Sequence, residues 1–251
     1  MLDLQLKSTP SATSRFFVGL ARTEEEVQAA QALRYKVFAE EMGARLQTRH
    51  AGLDVDIFDP YCEHLVVRDE STGEVVGTYR ILSPAQSRRI GGYYSETEFD
   101  LTRLQHIRAE MVEVGRSCIH PDYRTGGVIG RLWAGLSQYM IRHGYRYLAG
   151  CASISMADGG HAAASVFKRI EAKHLGPVEW KVFPRNPLPI DALNNRQEVE
   201  MPALIRGYLQ VGALVCGAPA WDPDFNTADI FVLLPMSRLN ARYARHFGIG
   251  R

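Results

Sequence analysis

The segment EVGRSCIHPDYRTGGVIG, residues 113–130, combines three local patterns in a row. Residues 109–119 alternate and are rich in Val and Met, which predicts a strand. Residues 121–127 predict a loop, and the amphipathic run that follows predicts a helix. Glycines let a backbone approach a ligand closely, and the free N–H groups of a helix start attract phosphate, with Arg124 and Arg131 as cationic partners. The segment predicts an anion-binding strand–turn–helix unit, with a plain turn that needs positive φ as the alternative.

Predicted strands and helices alternate along the rest of the chain, without internal repeats. Thr23 followed by Glu26 has the capping-box spacing of a helix start. The predicted strands cover residues 15–20, 63–68, 74–82, 109–119, 145–151 and 229–234, and the predicted helices cover residues 24–42, 128–143, 160–174 and 201–212. This order predicts an α/β or α+β fold, with a leader at residues 1–13 and a single domain at residues 14–251.

Composition excludes several classes of protein. Of the 251 residues, 46% are hydrophobic and 23% are charged, which is ordinary for a globular protein. The 29 Lys and Arg against 28 Asp and Glu give a formal net charge of +1, which argues against a nucleic-acid binder that neutralises phosphates over a large surface. None of the four cysteines stands in a CxxC pair, so neither a zinc site nor a disulfide scaffold is predicted. Reduced thiols fit a cytoplasmic location.

Hydropathy gives no prediction of a membrane span. The longest uncharged apolar stretch, residues 207–221, contains glycines and a proline and is shorter than the ~20 residues that cross a bilayer. Residues 1–15 lack the apolar centre of an export signal. We expect a protein that does not cross a membrane but can lie against one.

The turn in this segment resembles the acyl-CoA-binding loop of the GNAT acyltransferase superfamily. Arg124 and Gly127 match its motif Gln/Arg-x-x-Gly-x-Gly/Ala, whereas Ile129 stands where the last small residue is expected. This departure favours a branch of the superfamily that takes a donor other than acetyl-CoA.

Further fragments resemble the acyl-homoserine-lactone synthases, which share the GNAT-like fold and use acyl groups carried on acyl carrier protein. They are LRYKVF at residues 33–38, DVDIFD at 54–59, EHLV at 63–66, GTYRIL at 77–82 and EVGR at 113–116. The second half adds YLAGCAS at residues 147–153, LIRGYL at 204–209, AWDPDFNTAD at 220–229 and RYARHFG at 242–248. Together these fragments resemble the L-ornithine Nα-acyltransferases of bacterial ornithine-lipid synthesis, over residues 15–248.

The resemblance implies a GNAT-like fold, with a central mixed, mostly antiparallel sheet flanked by helices. It implies transfer of a 3-hydroxyacyl chain from acyl carrier protein to the α-amine of L-ornithine, which gives lyso-ornithine lipid. The acyl group would arrive on the 4′-phosphopantetheine of the carrier protein, so no separate cofactor is expected. The expected partners are acyl carrier protein, ornithine and the inner face of the cytoplasmic membrane, without nucleic acid.

Three other functions stay open at this point. The same chemistry can serve another acceptor such as glutamine or glycine, or it can make an acyl-homoserine lactone. A function of another class is a non-catalytic acyl-binding or membrane-associated, hemolysin-like module. The Glu113 and Arg116 pair in its predicted strand favours an enzyme.

The resemblance also implies roles for individual residues. Glu113 and Arg116 are the catalytic candidates, with Glu113 as the proton acceptor for the amine; an ordinary glutamate paired with Arg116 is the alternative. The residues implied in acceptor binding are Arg34, Phe38, Asp56, Asp59 and Arg80, although the two aspartates can instead pair with the arginines. The residues implied in donor binding are Ser117, Cys118, Ile119, Arg124, Gly126, Gly127, Gly130 and Arg131.

Two further patterns are not expected to carry chemistry. Asp54, Asp56 and Asp59 have a spacing similar to that of a calcium loop, but the required glycine and closing glutamate are missing, so no metal is expected. Cys118 and Cys151 lie on predicted strands, where a cysteine usually serves as a small apolar residue.

Overall fold

A computed structural model describes residues 15–124 and 127–240. These residues form two compact units, one of residues 15–81 and 115–139 and the other of residues 82–114 and 140–240. We call them unit one and unit two. The predicted leader at residues 1–13, Gly126 of the predicted donor loop and the fragment at residues 242–248 lie outside the described residues. The single-domain boundary at residues 14–251 stays a prediction.

The predicted strands and helices are all present, with ends that differ by a few residues. The strands are β1 (Phe16–Leu20), β2 (Glu63–Asp69), β3 (Val75–Leu82), β4 (Phe99–Asp100), β5 (Met111–Ile119), β6 (Tyr147–Ser155), β7 (Phe183–Pro184), β8 (Leu214–Val215), β9 (Ala220–Asp222) and β10 (Thr227–Pro235). The α-helices are α1 (Glu24–Tyr35), α2 (Pro84–Ile90), α3 (Val128–His143), α4 (His161–Glu171) and α5 (Ala203–Val211).

Eight strands form one sheet in the order β1-β2-β3-β5-β6-β10-β8, with β9 also paired to β10. Strands β5 and β6 are parallel, and the other pairs whose register is described are antiparallel. Strands β4 and β7 form a separate two-stranded sheet. The predicted mixed, mostly antiparallel sheet flanked by helices is confirmed.

In unit one, the structure confirms Thr23 as the N-cap of α1, but the carboxylate partner of the predicted capping box binds the residue before the N-cap. The Thr23 side chain accepts a hydrogen bond from Glu26 N at 3.3 Å, while the Glu26 carboxylate accepts from Arg22 N at 2.7 Å. The predicted helix at residues 24–42 changes its winding, because Lys36–Glu41 continue α1 as a π-helix. Such widened turns occur frequently at functional sites, and this one directly follows the helical turn that carries Arg34.

Unit one places two of the predicted site residues in its core. Leu33, Val37 and Cys118 form a buried apolar cluster, and Phe38 packs against it. Burial raises the pKa of the Cys118 thiol to about 12, which keeps the thiol protonated near neutral pH. Cys118 is therefore a small core residue, as its predicted strand position indicates.

In unit two, the described pairing of β5 with β6 runs from Met111 opposite Tyr147 to Glu113 opposite Ala149. Gly150 follows directly, and a Cβ at this position would lie 2.2 Å from the Val114 carbonyl oxygen. This close approach requires glycine.

Strand β6 is longer than its predicted range because β10 pairs with it over nine residues, from Ser155 opposite Thr227 to Tyr147 opposite Pro235. Strand β9 pairs with the first residues of β10 to form a hairpin. The registers place Ser153 directly opposite Asp229.

Candidate active site

Arg34 is fully buried in the last turn of α1 and binds two aspartates. Its Nε donates to Asp54 Oδ2 at 2.7 Å, and its Nη1 donates to Asp59 Oδ1 at 2.7 Å. Its Nη2 donates to the Asp54 carbonyl oxygen at 2.6 Å and to Asp59 Oδ2 at 3.1 Å. Each guanidinium nitrogen therefore has a charge-assisted or carbonyl partner, which is what makes a fully buried arginine tolerable.

Two more arginines extend this cluster. Arg80 Nη1 lies 2.7 Å from Asp56 Oδ1 and 3.2 Å from Asp59 Oδ2. Arg116 Nε lies 3.2 Å from Asp54 Oδ2, and Arg116 Nη2 lies 3.4 Å from Asp56 Oδ2. We refer to the set Arg34, Arg80, Arg116, Asp54, Asp56 and Asp59 as the arginine–aspartate network. It holds three cations and three anions within unit one, so its formal charge is balanced.

The ionisation of the network follows from its contacts. Burial opposes the charge on Asp59, but hydrogen bonds and charge from Arg34, together with the charge of Arg80, hold the pKa of the Asp59 carboxyl well below its ordinary value. Burial lowers the pKa of His64 to about 4, so this imidazole is neutral near pH 7 although its Nε2 lies 3.6 Å from Asp59 Oδ1. Both carboxylate oxygens of Asp59 bind arginine, Oδ1 to Arg34 and Oδ2 to Arg80. The Asp56 side chain, in contrast, keeps 21% of its surface exposed.

The structure thus pairs Asp56 and Asp59 with Arg34 and Arg80, as the alternative reading of these aspartates predicts, and Arg116 joins the same cluster. Phe38 lies instead against the apolar cluster of unit one. Whether any of these residues binds an acceptor stays a prediction.

Arg116 has an unusual backbone conformation for a residue inside a strand. Its φ of 50° lies in the left-handed region, which costs a residue with a Cβ about 1–2 kcal/mol. Strain of this kind persists where the surroundings hold it in place, and the ion pairs with Asp54 and Asp56 do so here.

Glu113 is buried, and three donors from one short segment bind its carboxylate. Tyr94 N donates to Oε2 at 2.6 Å, and Ser95 N donates to Oε1 at 2.8 Å. Ser95 Oγ also donates to Oε1, at 2.5 Å, and lies 3.3 Å from Cys151 Sγ. Residues Tyr94–Thr97 form a 3₁₀ turn, so Glu113 fixes the start of that turn. Its role as a proton acceptor stays a prediction.

Of the two described glycines in the predicted donor segment, only Gly127 has a conformation that favours glycine, with a φ of 75°. At Gly130 an added Cβ would meet no atom within 4 Å, so the space around it does not require glycine. Arg124 forms a bidentate pair with Glu41, at 2.7 and 2.6 Å. Arg131 lies over the Phe16 ring at 5.3 Å. Ser117 and Ile119 are half-buried on β5, and their part in donor binding stays a prediction.

Sequence patterns did not indicate a second group of charged residues, in unit two. Glu98, Asp222 and Asp229 each offer one carboxylate oxygen, and these three oxygens lie within 4.8 Å of one another. The available signal was the fragment at residues 220–229, which contains two of the three. Glu98 lies in the polar segment at residues 83–108, which has no helical or strand periodicity to mark it.

Comparison of the sequence with known proteins identifies its family. Residues 33–134 match the family described as an acetyltransferase (GNAT) domain. The L-ornithine N(alpha)-acyltransferase of Agrobacterium fabrum is 37% identical over 245 residues, which cover 91% of this chain and 84% of that protein. The chain belongs to the L-ornithine N(alpha)-acyltransferase family. A second member, from Rhodobacter capsulatus, is 33% identical over 250 residues, which cover 94% of this chain and 96% of that protein.

As a member of this family, the chain is an acyltransferase, which confirms the prediction of an enzyme. Solved structures share its fold at low sequence identity. The acyl-homoserine-lactone synthase LasI has a TM-score of 0.55 at 11% identity, covering 93% of this chain and 95% of its own. TofI, in a ternary complex with an inhibitor and MTA, has a TM-score of 0.54 at 16% identity, covering 94% and 98%. The predicted GNAT-like fold is confirmed.

Each helix in the part of the chain that the structure describes is too short or too polar to cross a bilayer.

Proposed function

We propose that this chain transfers a 3-hydroxyacyl group from acyl carrier protein to the α-amine of L-ornithine. The observation that carries the proposal is the similarity to relatives named L-ornithine N(alpha)-acyltransferase over nearly the whole chain, 91% in one case and 94% in another. The matched length therefore spans both units.

The reaction is an aminolysis of a thioester. The unprotonated amine attacks the thioester carbonyl, a C–N bond forms, and the C–S bond breaks. The amine loses one proton, and the thiol of the carrier protein leaves with one, so the products are an amide and a free thiol. A thioester is already activated, so the protein needs to accept the amine proton and to stabilise the developing oxyanion.

We propose that Ser95 and Glu113 together accept the proton that the amine loses. The Ser95 hydroxyl donates to Glu113 Oε1 at 2.5 Å, so the hydroxyl can pass its proton to the carboxylate while it accepts one from the amine. Of the donors to Glu113 from this turn, Tyr94 N, Ser95 N and the Ser95 hydroxyl, the hydroxyl is the group that can both give a proton to the carboxylate and accept one from the amine.

The segment around Gly127 and Arg124 is the proposed site of the phosphopantetheine arm. The positive φ of Gly127 supports an anionic ligand there, because the first N–H groups of a helix have no partner within the helix and attract anions. Arg124 is already paired with Glu41 on the surface, so we expect the pantetheine phosphate to compete with that carboxylate.

Contact with the membrane surface is part of the proposal because the product carries a long acyl chain. In unit one, Ile57 is 74% exposed and Met42 is 48% exposed. Both follow predicted site residues closely in sequence. We expect the Ile57→Glu variant to sediment less with vesicles of anionic phospholipid than the unchanged protein, and equal sedimentation contradicts the membrane contact.

The decisive experiment incubates the purified protein with 3-hydroxyacyl carrier protein and L-ornithine and measures lyso-ornithine lipid by mass spectrometry. Parallel reactions replace the donor with 3-hydroxyacyl-CoA, or the acceptor with glutamine or glycine. We expect the product with carrier protein and ornithine at the highest kcat/KM. If product forms only with glutamine or glycine, or if the product is an acyl-homoserine lactone, ornithine is not the acceptor. If 3-hydroxyacyl-CoA reacts at the same rate as the carrier-protein thioester, the proposed preference for acyl carrier protein is wrong.

The proton path has its own test. Ser95→Ala removes the hydroxyl that donates to Glu113, and we expect kcat to fall by about 100-fold, within the range for one acid–base group. Thr97→Ala is the matched control, because its hydroxyl donates to the Tyr94 carbonyl oxygen in the same turn at 2.7 Å. Equal kcat in the two variants contradicts the proposed path.

A further inference from the structure

The acidic group of unit two has contacts that an ordinary surface cluster lacks. Glu98 directly follows the 3₁₀ turn, Asp222 ends β9, and Asp229 lies in β10. The charged groups that act on Glu98 are Asp229, Asp222 and Glu113, which are all acidic. Burial, reinforced by these neighbours, raises the pKa of the Glu98 carboxyl well above its ordinary value, and burial also raises the pKa of Asp229. The group therefore favours a bound proton or a bound cation.

Three carboxylate oxygens of the group and one neighbouring hydroxyl are buried without a hydrogen-bond partner among the described residues. They are both carboxylate oxygens of Glu98, Oδ1 of Asp229 and the hydroxyl of Thr227. Asp229 is 4% exposed and Thr227 is 2% exposed. Because Thr227 and Asp229 are two residues apart on β10, their side chains lie on the same face of the sheet. Ser153 forms a side-chain hydrogen bond with Asp229, so the carboxylate acceptors that remain are Oδ1 of Asp229 and the two oxygens of Glu98. Buried polar atoms are normally satisfied, so these three oxygens favour a bound donor.

The sheet face that carries Thr227 and Asp229 also includes an exposed residue and a residue that contacts the Ser95 hydroxyl. Ser153, directly opposite Asp229, is exposed. Cys151 lies two residues before Ser153 and therefore on the same face of β6. Its Sγ is 3.3 Å from Ser95 Oγ, the donor to Glu113. The acidic group and Glu113 are thus neighbours within unit two, joined through the 3₁₀ turn.

We propose that Glu98, Asp222 and Asp229 bind the side-chain ammonium of a basic amino acid acceptor. This inference rests on the proposed function and identifies the part of unit two that recognises the acceptor. A primary ammonium has three N–H donors. Three acceptors around a tetrahedral nitrogen are about 4.6 Å apart when each N–O distance is about 2.8 Å. The three carboxylate oxygens lie within 4.8 Å of one another, which fits one N–H donor for each residue.

A divalent metal ion is the competing ligand for this group, because Ca²⁺ and Mg²⁺ bind carboxylate oxygens and complete their coordination with water. Asp222 Oδ1 already accepts hydrogen bonds from Asp224 N and Phe225 N, at 2.8 and 3.1 Å. That leaves Asp222 as a single-oxygen acceptor, which suits an ammonium donor.

The test compares ornithine with norvaline, which has the same carbon chain without the side-chain ammonium. We expect the unchanged protein to prefer ornithine in kcat/KM by at least 100-fold, because a site built for a hydrogen-bonding group rejects an analogue that lacks it. Glu98→Gln and Asp229→Asn are expected to reduce this preference at least tenfold, mainly by raising the KM for ornithine. Asp224→Asn is the matched control, since Asp224 lies in the same hairpin outside the group, and its preference should stay unchanged.

Other outcomes separate the two proposals. If the unchanged protein acylates ornithine and both variants keep its preference over norvaline, the acidic group does not bind the ammonium and the proposed function stands. If the unchanged protein acylates only neutral amino acids, the proposed function fails as well. A stoichiometric divalent metal in the purified protein, lost in Asp229→Asn, overturns the ammonium site in favour of a metal site.

Folding of the variants is measured separately. Asp222→Asn changes one of the two half-buried members of the group, so it is less disruptive to folding than Asp229→Asn, whose side chain is buried. Ornithine and norvaline are also compared by the thermal shift that each gives the unchanged protein. A larger shift with ornithine, lost in Asp222→Asn, supports the proposal without any measurement of activity, and equal shifts contradict it.

Discussion

Replacing Arg34 with alanine is expected to destabilise unit one by about 4 kcal/mol. The change leaves Asp54 and Asp59, which are 2% and 6% exposed, without the guanidinium that binds both of them. Removal of one partner from a buried ion pair costs about 3–5 kcal/mol, because the remaining charge is buried without compensation. Asp59 keeps Arg80 at 3.2 Å, so we place the expected loss in the middle of that range. This loss is a large part of the 5–15 kcal/mol that typically stabilises a folded domain.

The assay is urea unfolding at pH 7, followed by the fluorescence of the three tryptophans. Arg124→Ala is the matched control, because Arg124 also forms a bidentate pair with a carboxylate, that of Glu41, but on the surface. Exposed pairs of this kind contribute about 0–1 kcal/mol. A loss below about 1 kcal/mol for Arg34→Ala, or equal losses for the two variants, refutes the view that burial makes Arg34 central.

The acid side of the stability profile tests the same contact. The pKa of Asp59 is lower in the folded protein than in the unfolded chain. Its contribution is therefore present above the unfolded value of about 3.9 and is lost as the pH falls toward the folded value. Arg34 is the main cause of the lowered pKa, so the loss of stability on going from pH 5 to pH 3 should be smaller in Arg34→Ala than in the unchanged protein.

Three other perturbations have outcomes that the structure specifies. Gly150→Ala brings a Cβ to 2.2 Å from the Val114 carbonyl oxygen and should cost about 1–3 kcal/mol in urea unfolding, whereas Gly115→Ala, with no atom within 4 Å, should change stability by less than about 0.5 kcal/mol. Arg116→Gly should be about 1 kcal/mol more stable than Arg116→Ala, since both lose the ion pairs and only Gly relieves the left-handed strain; equal midpoints contradict the strain. The pKa of His64, lowered to about 4 by burial, lies below its unfolded value of about 6.5, so stability should fall from pH 6.5 to pH 4 by about 1 kcal/mol per pH unit, and His64→Gln should remove that slope.

Local patterns predicted most of the secondary structure. The N-cap at Thr23 and the periodicity of residues 128–143 each depend on neighbours in sequence, and the structure confirms both. These local patterns do not predict the π-helix at Lys36–Glu41, in which Val37 packs in the core of unit one. Patterns of hydrophobicity report the local period of the chain and not its packing.

The acidic group shows the same limit at the candidate site. Asp222 and Asp229 lie in a fragment that the resemblance marked, but their proximity to Glu98 depends on the pairing of β9 with β10 and on the 3₁₀ turn before Glu98. No local pattern joins positions so distant in sequence. The network around Arg34 is easier to predict, because Arg34 and the aspartates at residues 54–59 lie in fragments that resemble the acyl-homoserine-lactone synthases.

Strand β5 connects the two groups of charged residues through the chain itself. Glu113 near its start holds the 3₁₀ turn that ends next to Glu98, and Arg116 three residues later holds Asp54 and Asp56. The left-handed conformation of Arg116 costs free energy that a regular strand would not. Both aspartates that bind Arg116 belong to unit one, so the contacts that hold this strain in place lie within that unit.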